Sequence, residues 1–223
     1  DYEVEYDNRA RVPEHPAIFA RWEKDAAAYR EETSRAGRAE PGLSYGPSER
    51  QIIDLFKPEK DNGAVALFIH GGYWRALQPS TFSHIARGLN AHGVTVGVAG
   101  YDLCPKVTVA DIIGQMRAAT LFMWTRFRRR VFVYGHSAGG HLAAAMLATD
   151  WAKFDSSAPA DLVPAALSVS GVFDLTPLIG ISINSDLRLD EKQARAVSPV
   201  FWPAPSGRVL DSLVGGIESS EFL

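Results

Sequence analysis

A chain of 223 residues that is 46% hydrophobic can bury one substantial core, and a formal charge of -3 with acidic and basic residues intermixed argues against a nucleic-acid or polyanion surface. Its one cysteine, Cys104, allows neither an internal disulfide nor a thiolate metal cluster. Asp1 to Tyr6 has neither the basic start nor the apolar run of a signal peptide, and no stretch has the length to span a bilayer, so the expectation is a soluble cytoplasmic protein without membrane contact.

Taken in order, residues 1 to 12 are polar and read as irregular. From Pro16 to about Arg35, Ile18, Trp22, Ala26 and Tyr29 fall on one helical stripe, which packs on the core or lies over an active site as a lid. Glycines and prolines between Gly37 and Pro47 read as loop punctuation, and Gln51 to Phe56 as an early strand closed by Pro58. Ala64 to Ile69 is continuously apolar, as in a strand buried on both faces of a parallel sheet, and leads into His70-Gly71-Gly72-Tyr73-Trp74. Pro79 opens a helix to about Ala91, and Val94 to Ala99 is the next strand. Thr108 and Asp111 have capping-box spacing for a helix to about Phe127, with the basic run Arg126 to Arg130 as its solvated C-terminal turn.

Val131 to Tyr134 is again a strand, and an alanine-rich helical pattern runs to Ala148. Ala165 to Val169 and Arg208 to Val214 are later strands, the second broken by Gly215-Gly216, with Glu191 to Val197 helical between them. The repeated strand–helix alternation predicts an α/β fold in a single domain over residues 1–223, with a mostly parallel central sheet and helices on both faces.

The chemistry centres on Gly135-His136-Ser137-Ala138-Gly139, a G-x-S-x-G turn between strand and helix, which is the nucleophile elbow of α/β-hydrolases. Ser137 is the expected nucleophile. Gly135 and Gly139 lack the Cβ that would collide where strand and helix approach, and the Ala138 N–H opens the helix where an oxyanion would form. His70-Gly71-Gly72, after a buried strand and before a helix, matches the HGG-type oxyanion loop of esterases.

In such folds the triad order is serine, acid, histidine. Glu218, just beyond Gly215-Gly216, is the first choice of acid; Asp174, after an earlier strand, is the rival, and Asp211 falls inside a strand pattern. All six histidines (His15, His70, His84, His92, His136, His141) precede or adjoin the elbow. His70 reads as a structural member of its loop, and His136 and His141 sit on backbone that cannot easily swing a ring onto Ser137. The expected triad histidine is therefore not in the chain, and the favoured reading is a missing C-terminal segment that bears it. The alternatives are an unusual triad and a non-catalytic binding protein of the same fold.

With these residues in place, the sequence resembles the kynurenine formamidase (arylformamidase) branch of the α/β-hydrolases, near the hormone-sensitive-lipase-like esterases. The resemblance runs from Tyr6-x-x-Arg9, Tyr45-Gly46 and Asp54-Leu55-Phe56-x-Pro58 through His70-Gly71-Gly72-Tyr73-Trp74, Tyr101-x-Leu103-x-Pro105 and the elbow. It continues at Ser170-Gly171-x-x-Asp174-Leu175, Ser198-Pro199 and Gly216-x-Glu218. It implies Ser137 as nucleophile, Glu218 as acid where the family often has aspartate, Gly71, Gly72 and Ala138 as the oxyanion region, and Tyr73, Trp74 and His136 around the substrate. The segment at Arg126 to Arg130 is shorter than usual for the branch. The implied reaction is acyl transfer on a small ester, aryl formamide or thioester without metal or organic cofactor. Oligomeric state stays open, with a homodimer one candidate.

Overall fold

The computed structural model describes residues 1–222. The chain opens with two short helices, α1 (Tyr2–Tyr6) and α2 (Asn8–Arg11), where the sequence reads as irregular. Each has an aspartate cap: Asp1 accepts from the Glu3 N–H at 3.0 Å and Asp7 from the Ala10 N–H at 3.1 Å. Helices this short are not stable alone, and tertiary contacts hold them. The Glu3 carboxylate accepts from the Ser182 N–H at 2.7 Å, and buried Tyr6 packs on Phe222 with ring centroids 5.7 Å apart.

Helix α3 (His15–Arg35) follows the predicted stripe, burying Ala26 and Tyr29. The punctuated stretch after it contains a strand that the sequence reading missed, β1 (Ala39–Ser44). It pairs antiparallel with β2 (Ile52–Phe56) at the sheet edge, where Pro41 and Gly42 are tolerated because the register shifts between Glu40 and Leu43.

Next come β3 (Val65–Ile69), a 3-10 segment over Pro79–Ile85, α4 (Ala86–Ala91), β4 (Thr95–Ala99) and α5 (Val109–Phe127). The capping box on α5 is present in both directions, between Thr108 and Asp111. Then follow β5 (Val131–His136), α6 (Ala138–Ala148), α7 (Trp151–Phe154), β6 (Ala165–Val169), α8 (Asn184–Leu187), α9 (Glu191–Ala196) and β7 (Val209–Leu213). Of the basic run, Arg126 pairs with Glu40 at 2.6 Å and Arg130 holds Asp161 through two bonds of 2.7 and 2.8 Å, all on the surface.

The seven strands form one sheet in the order β1-β2-β4-β3-β5-β6-β7. β2 runs antiparallel to both its neighbours, and every pair from β4 to β7 is parallel. Alternation along β3 explains its unbroken apolar run. Val65, Leu67 and Ile69 face the core under α5 and α6, while Ala66 and Phe68 join Tyr29, Phe82 and Ala86 on the opposite face. Ile69 lies opposite Gly135 in register, so the segments after β3 and β5 leave the sheet side by side at its carboxyl end. All of β7 is exposed, and its outer edge pairs with no strand among the described residues.

Candidate active site

Ser137 stands between β5 and α6 at φ 57°, ψ -121°, a conformation unfavourable for a residue with a Cβ. The turn is held because its N–H donates to the Val169 carbonyl at 2.8 Å and its carbonyl accepts from the His141 N–H at 3.1 Å. A Cβ at Gly139 would stand 1.9 Å from the Ile69 carbonyl oxygen, and one at Gly135 would stand 2.2 Å from the Gly139 oxygen. Both glycines are thus required by the backbone of α6 pressing on the strand ends.

The loop after β3 lies directly against this turn. A Cβ at Gly71 would be 2.7 Å from the His136 carbonyl oxygen and 3.1 Å from the Ser137 Cβ, and Gly72 adopts φ 105°. His70 anchors the loop from below. Its ring is fully buried and stacked 4.3 Å from Tyr101, and Nδ1–H donates to the Gly71 carbonyl at 2.7 Å. The Tyr101 hydroxyl in turn donates to the His70 carbonyl at 2.8 Å. Burial pushes the His70 pKa down to about 4, so the ring is neutral at ordinary pH. Ala138 begins α6, in the first turn whose N–H groups lack intrahelical acceptors. Gly71 therefore lies against Ser137, Gly72 shares a cavity wall with it, and Ala138 follows it at the start of α6.

Two cavities, of about 330 and 260 Å³, share Ser137 and His136 in their walls. Phe19 and Trp22 from the first turns of α3 also line both. The His136 ring stands edge-on to Trp22, with centroids 6.4 Å apart; burial lowers its pKa, and the charge of Glu218 acts the other way. Tyr73 lines the larger cavity and donates its hydroxyl to the Tyr6 carbonyl at 2.6 Å, so α1 closes that wall.

Trp74 is a correction. Expected beside Tyr73 at the substrate, it is instead fully buried and lines neither cavity. Its indole is held in the core by His141, to whose Nδ1 the Nε1–H donates at 3.2 Å, with the two rings edge-on at 5.0 Å. His141, fully buried too, donates from Nε2 to the Val197 carbonyl at 2.7 Å.

Glu218 lines the smaller cavity together with Ser137. One carboxylate oxygen accepts from the Ser170 hydroxyl at 2.6 Å and from the Gly215 N–H at 2.7 Å, which fixes its position. Asp174 lines neither cavity; its carboxylate accepts from the N–H and hydroxyl of Thr176 at 2.8 and 2.7 Å, closing a local turn. Asp211 sits on exposed β7. Ser170, at φ 53° after β6, stood in the motif Ser170-Gly171-x-x-Asp174-Leu175 without a role; its place at a strand end before Gly171 was the available signal. Arg9 stood only in the Tyr6-x-x-Arg9 motif without a role, and Phe19 was not singled out; the approach of both to Ser137 is purely tertiary. Among the described residues, no cluster of three or more His, Cys, Asp or Glu is placed to hold a metal ion, and no helix is long and apolar enough to cross a membrane.

Comparison with known proteins agrees with this architecture. A family model described as the alpha/beta hydrolase fold matches residues 66–198. The chain is 34% identical to a kynurenine formamidase of Salmo salar over 179 residues, covering 77% of this chain and 60% of the relative. It is 33% identical over 190 residues to that of Drosophila melanogaster, covering 78% and 60%. The chain thus spans about three-fifths of the length of these relatives. A solved structure described as a putative thioesterase from a Silicibacter species superposes with a TM-score of 0.90 at 31% identity, covering all of this chain and 83% of that one. Thermogutta terrifontis esterase 2, at 19% identity and a TM-score of 0.60 over 79% of this chain and 82% of that one, shares the fold. The model's match runs from β3 through the elbow to the segment beyond α9, and on that ground the chain belongs to the alpha/beta hydrolase fold family.

Proposed function

We propose that the chain is the core of a serine hydrolase that cleaves a small carboxylic ester or aryl formamide through an acyl-enzyme. The observation that carries the reading is the strained Ser137, opening on two cavities, pressed by Gly71 on one side and facing a cavity walled by Glu218 on the other. In this reading the Ser137 oxygen attacks the carbonyl carbon, and the N–H groups of Gly72 and Ala138 stabilise the oxyanion. The C–O or C–N bond then breaks, the alcohol or amine departs with a proton, and water hydrolyses the acyl-serine to the free acid. Glu218, held by Ser170 and Gly215, has the role of the acid that orients a base.

His70 and His141 are poor bases for Ser137, since both rings are fully buried with their hydrogen bonds directed to backbone or to Trp74. The substrate preference rests on the relatives named kynurenine formamidase and on aromatic walls formed by Phe19, Trp22 and Tyr73. A thioester is the second reading, supported by the full-length likeness to the protein described as a putative thioesterase.

The test has two stages. Intact-mass measurement after exposure to a fluorophosphonate is expected to show one added phosphonyl group that disappears in Ser137→Ala. Hydrolysis of N-formylkynurenine, p-nitrophenyl acetate and an acetyl thioester is then compared; a strong ester or thioester preference sinks the formamide version. A folded chain with no adduct means an incomplete triad in this chain and puts the binding-protein reading ahead for it.

A further inference from the structure

The charged side chains around the two cavities are almost all committed. Arg11 pairs with Glu5 at 2.9 Å and Arg75 with Asp186 at 2.7 Å. The Glu3 carboxylate is bonded to Ser182, Asp7 caps the Ala10 N–H, and Glu218 accepts from Ser170 and Gly215. Arg9 differs from all of these. It lines both cavities, as Ser137 and His136 do, yet its guanidinium has neither an ion pair nor a side-chain hydrogen bond among the described residues.

Its place is set by structure rather than by chance exposure. Asp7 caps the single turn of α2 that carries Arg9, and the segment before it is pinned by the Tyr73 hydroxyl on the Tyr6 carbonyl and by Glu3 on Ser182. The Arg11–Glu5 pair holds the next arginine back on α1. A fork of five donors is thus presented over an aromatic-walled site with its hydrogen-bonding capacity unspent. The other exposed arginines that share a cavity wall with the candidate nucleophile, Arg11 and Arg75, are both paired with carboxylates.

We infer that Arg9 is a specificity residue that reads an anionic substituent, a carboxylate in the simplest case, on a substrate whose aromatic part lies against Phe19 and Trp22. A planar carboxylate matches the guanidinium in a two-bond geometry, which the exposed Arg9 can offer at the edge of the cavities it lines. The inference rests on the reading of Ser137 as the reacting centre, because that is what makes these two cavities a substrate site. A neutral ester or amide of the same shape would leave Arg9 facing water and gain nothing from it. Arg9 does not touch the scissile group in this scheme, so its effect falls on binding.

The test separates this from catalysis by using Ser137→Ala protein and a ligand that is not turned over. Binding of hippurate, an aromatic acylamino carboxylate, is compared with that of its neutral amide, hippuramide, by calorimetry or Trp fluorescence. The expected result is that the anion binds about tenfold tighter, equivalent to ~1.4 kcal/mol. Arg9→Gln is expected to erase that preference, Arg9→Lys to keep part of it, and Arg21→Gln, which removes a charge from α3 outside both cavities, to leave it intact. Equal binding of the two ligands overturns the inference, as does a preference that survives in folded Arg9→Gln. Failure of the fluorophosphonate test alone would put the binding-protein reading ahead for this chain while leaving this binding result to stand or fall by itself.

Discussion

The indole N–H of Trp74 donates to Nδ1 of His141 at 3.2 Å, tying the loop after β3 to α6. The bond also selects a tautomer. With Nδ1 accepting, the proton resides on Nε2, which donates to the Val197 carbonyl at 2.7 Å. One buried ring thereby joins the loop after β3, the helix α6, and the segment after α9.

This ring and that of His70 give the fold a pH dependence. Burial pushes both pKa values down to about 4, below the ordinary 6.5 of an unfolded histidine. Between those values the unfolded chain binds more protons, so stability is full above about pH 6.5 and falls as pH drops toward 4. At pH 5 each ring is expected to cost about 2 kcal/mol relative to pH 7. Urea denaturation at the two pH values checks this; His141→Gln should show a shallower dependence than the wild type, and identical slopes would refute the neutral buried ring.

Two glycine-to-alanine changes should have opposite effects. Gly139→Ala drives a Cβ to 1.9 Å from the Ile69 carbonyl oxygen, a backbone atom that cannot give way, and should destabilise by about 3 kcal/mol or more. Gly114→Ala, within α5 and with open space around it, should stabilise by about 0.5–1 kcal/mol through helix propensity. Denaturation midpoints of the purified variants decide the matter.

Ser137 stores strain that function would require. Relieving it with Ser137→Gly should raise stability by roughly 1 kcal/mol while abolishing fluorophosphonate labelling. A variant that is inert and less stable would show that the φ 57° conformation costs the native chain nothing.

The choice between the two carboxylates is open to a direct comparison. In protein that carries a triad histidine, Glu218→Gln should slow fluorophosphonate labelling by about 10²-fold or more, because a charge that orients that base is lost. Asp174→Asn should leave the rate within about twofold, since an asparagine can keep the turn to Thr176. The reverse pattern would transfer the acid role to Asp174.

Exposed Val209 and Leu213 on β7, whose outer edge pairs with no strand among the described residues, predict self-association of the 223-residue chain at high concentration. Val209→Lys combined with Leu213→Lys should lower light scattering without changing the far-UV spectrum. Unchanged scattering would direct attention to another surface.

What could be read from the sequence were features governed by local rules. The unbroken apolar run into His70-Gly71-Gly72, the Thr108–Asp111 capping box and the strand–turn–helix around Ser137 each carry their structure within a dozen residues, because turn chemistry, capping and side-chain periodicity are short-range. What required the tertiary structure were relationships between distant segments. β1 exists because β2 supplies its hydrogen-bond partners despite Pro41 and Gly42, α1 is held by contacts to Tyr73, Ser182 and Phe222, and α2 is tied to α1 by the Arg11–Glu5 pair. Trp74 and Tyr73 are adjacent and aromatic, yet one reaches the core and the other a cavity, a difference visible only in their distant partners, His141 for the first and the Tyr6 carbonyl for the second. Glu218 and Asp174 are equivalent as letters; only packing puts the first beside Ser137 and folds the second onto its own turn. Local chemistry determined which residues could react, and long-range burial decided which of them meet.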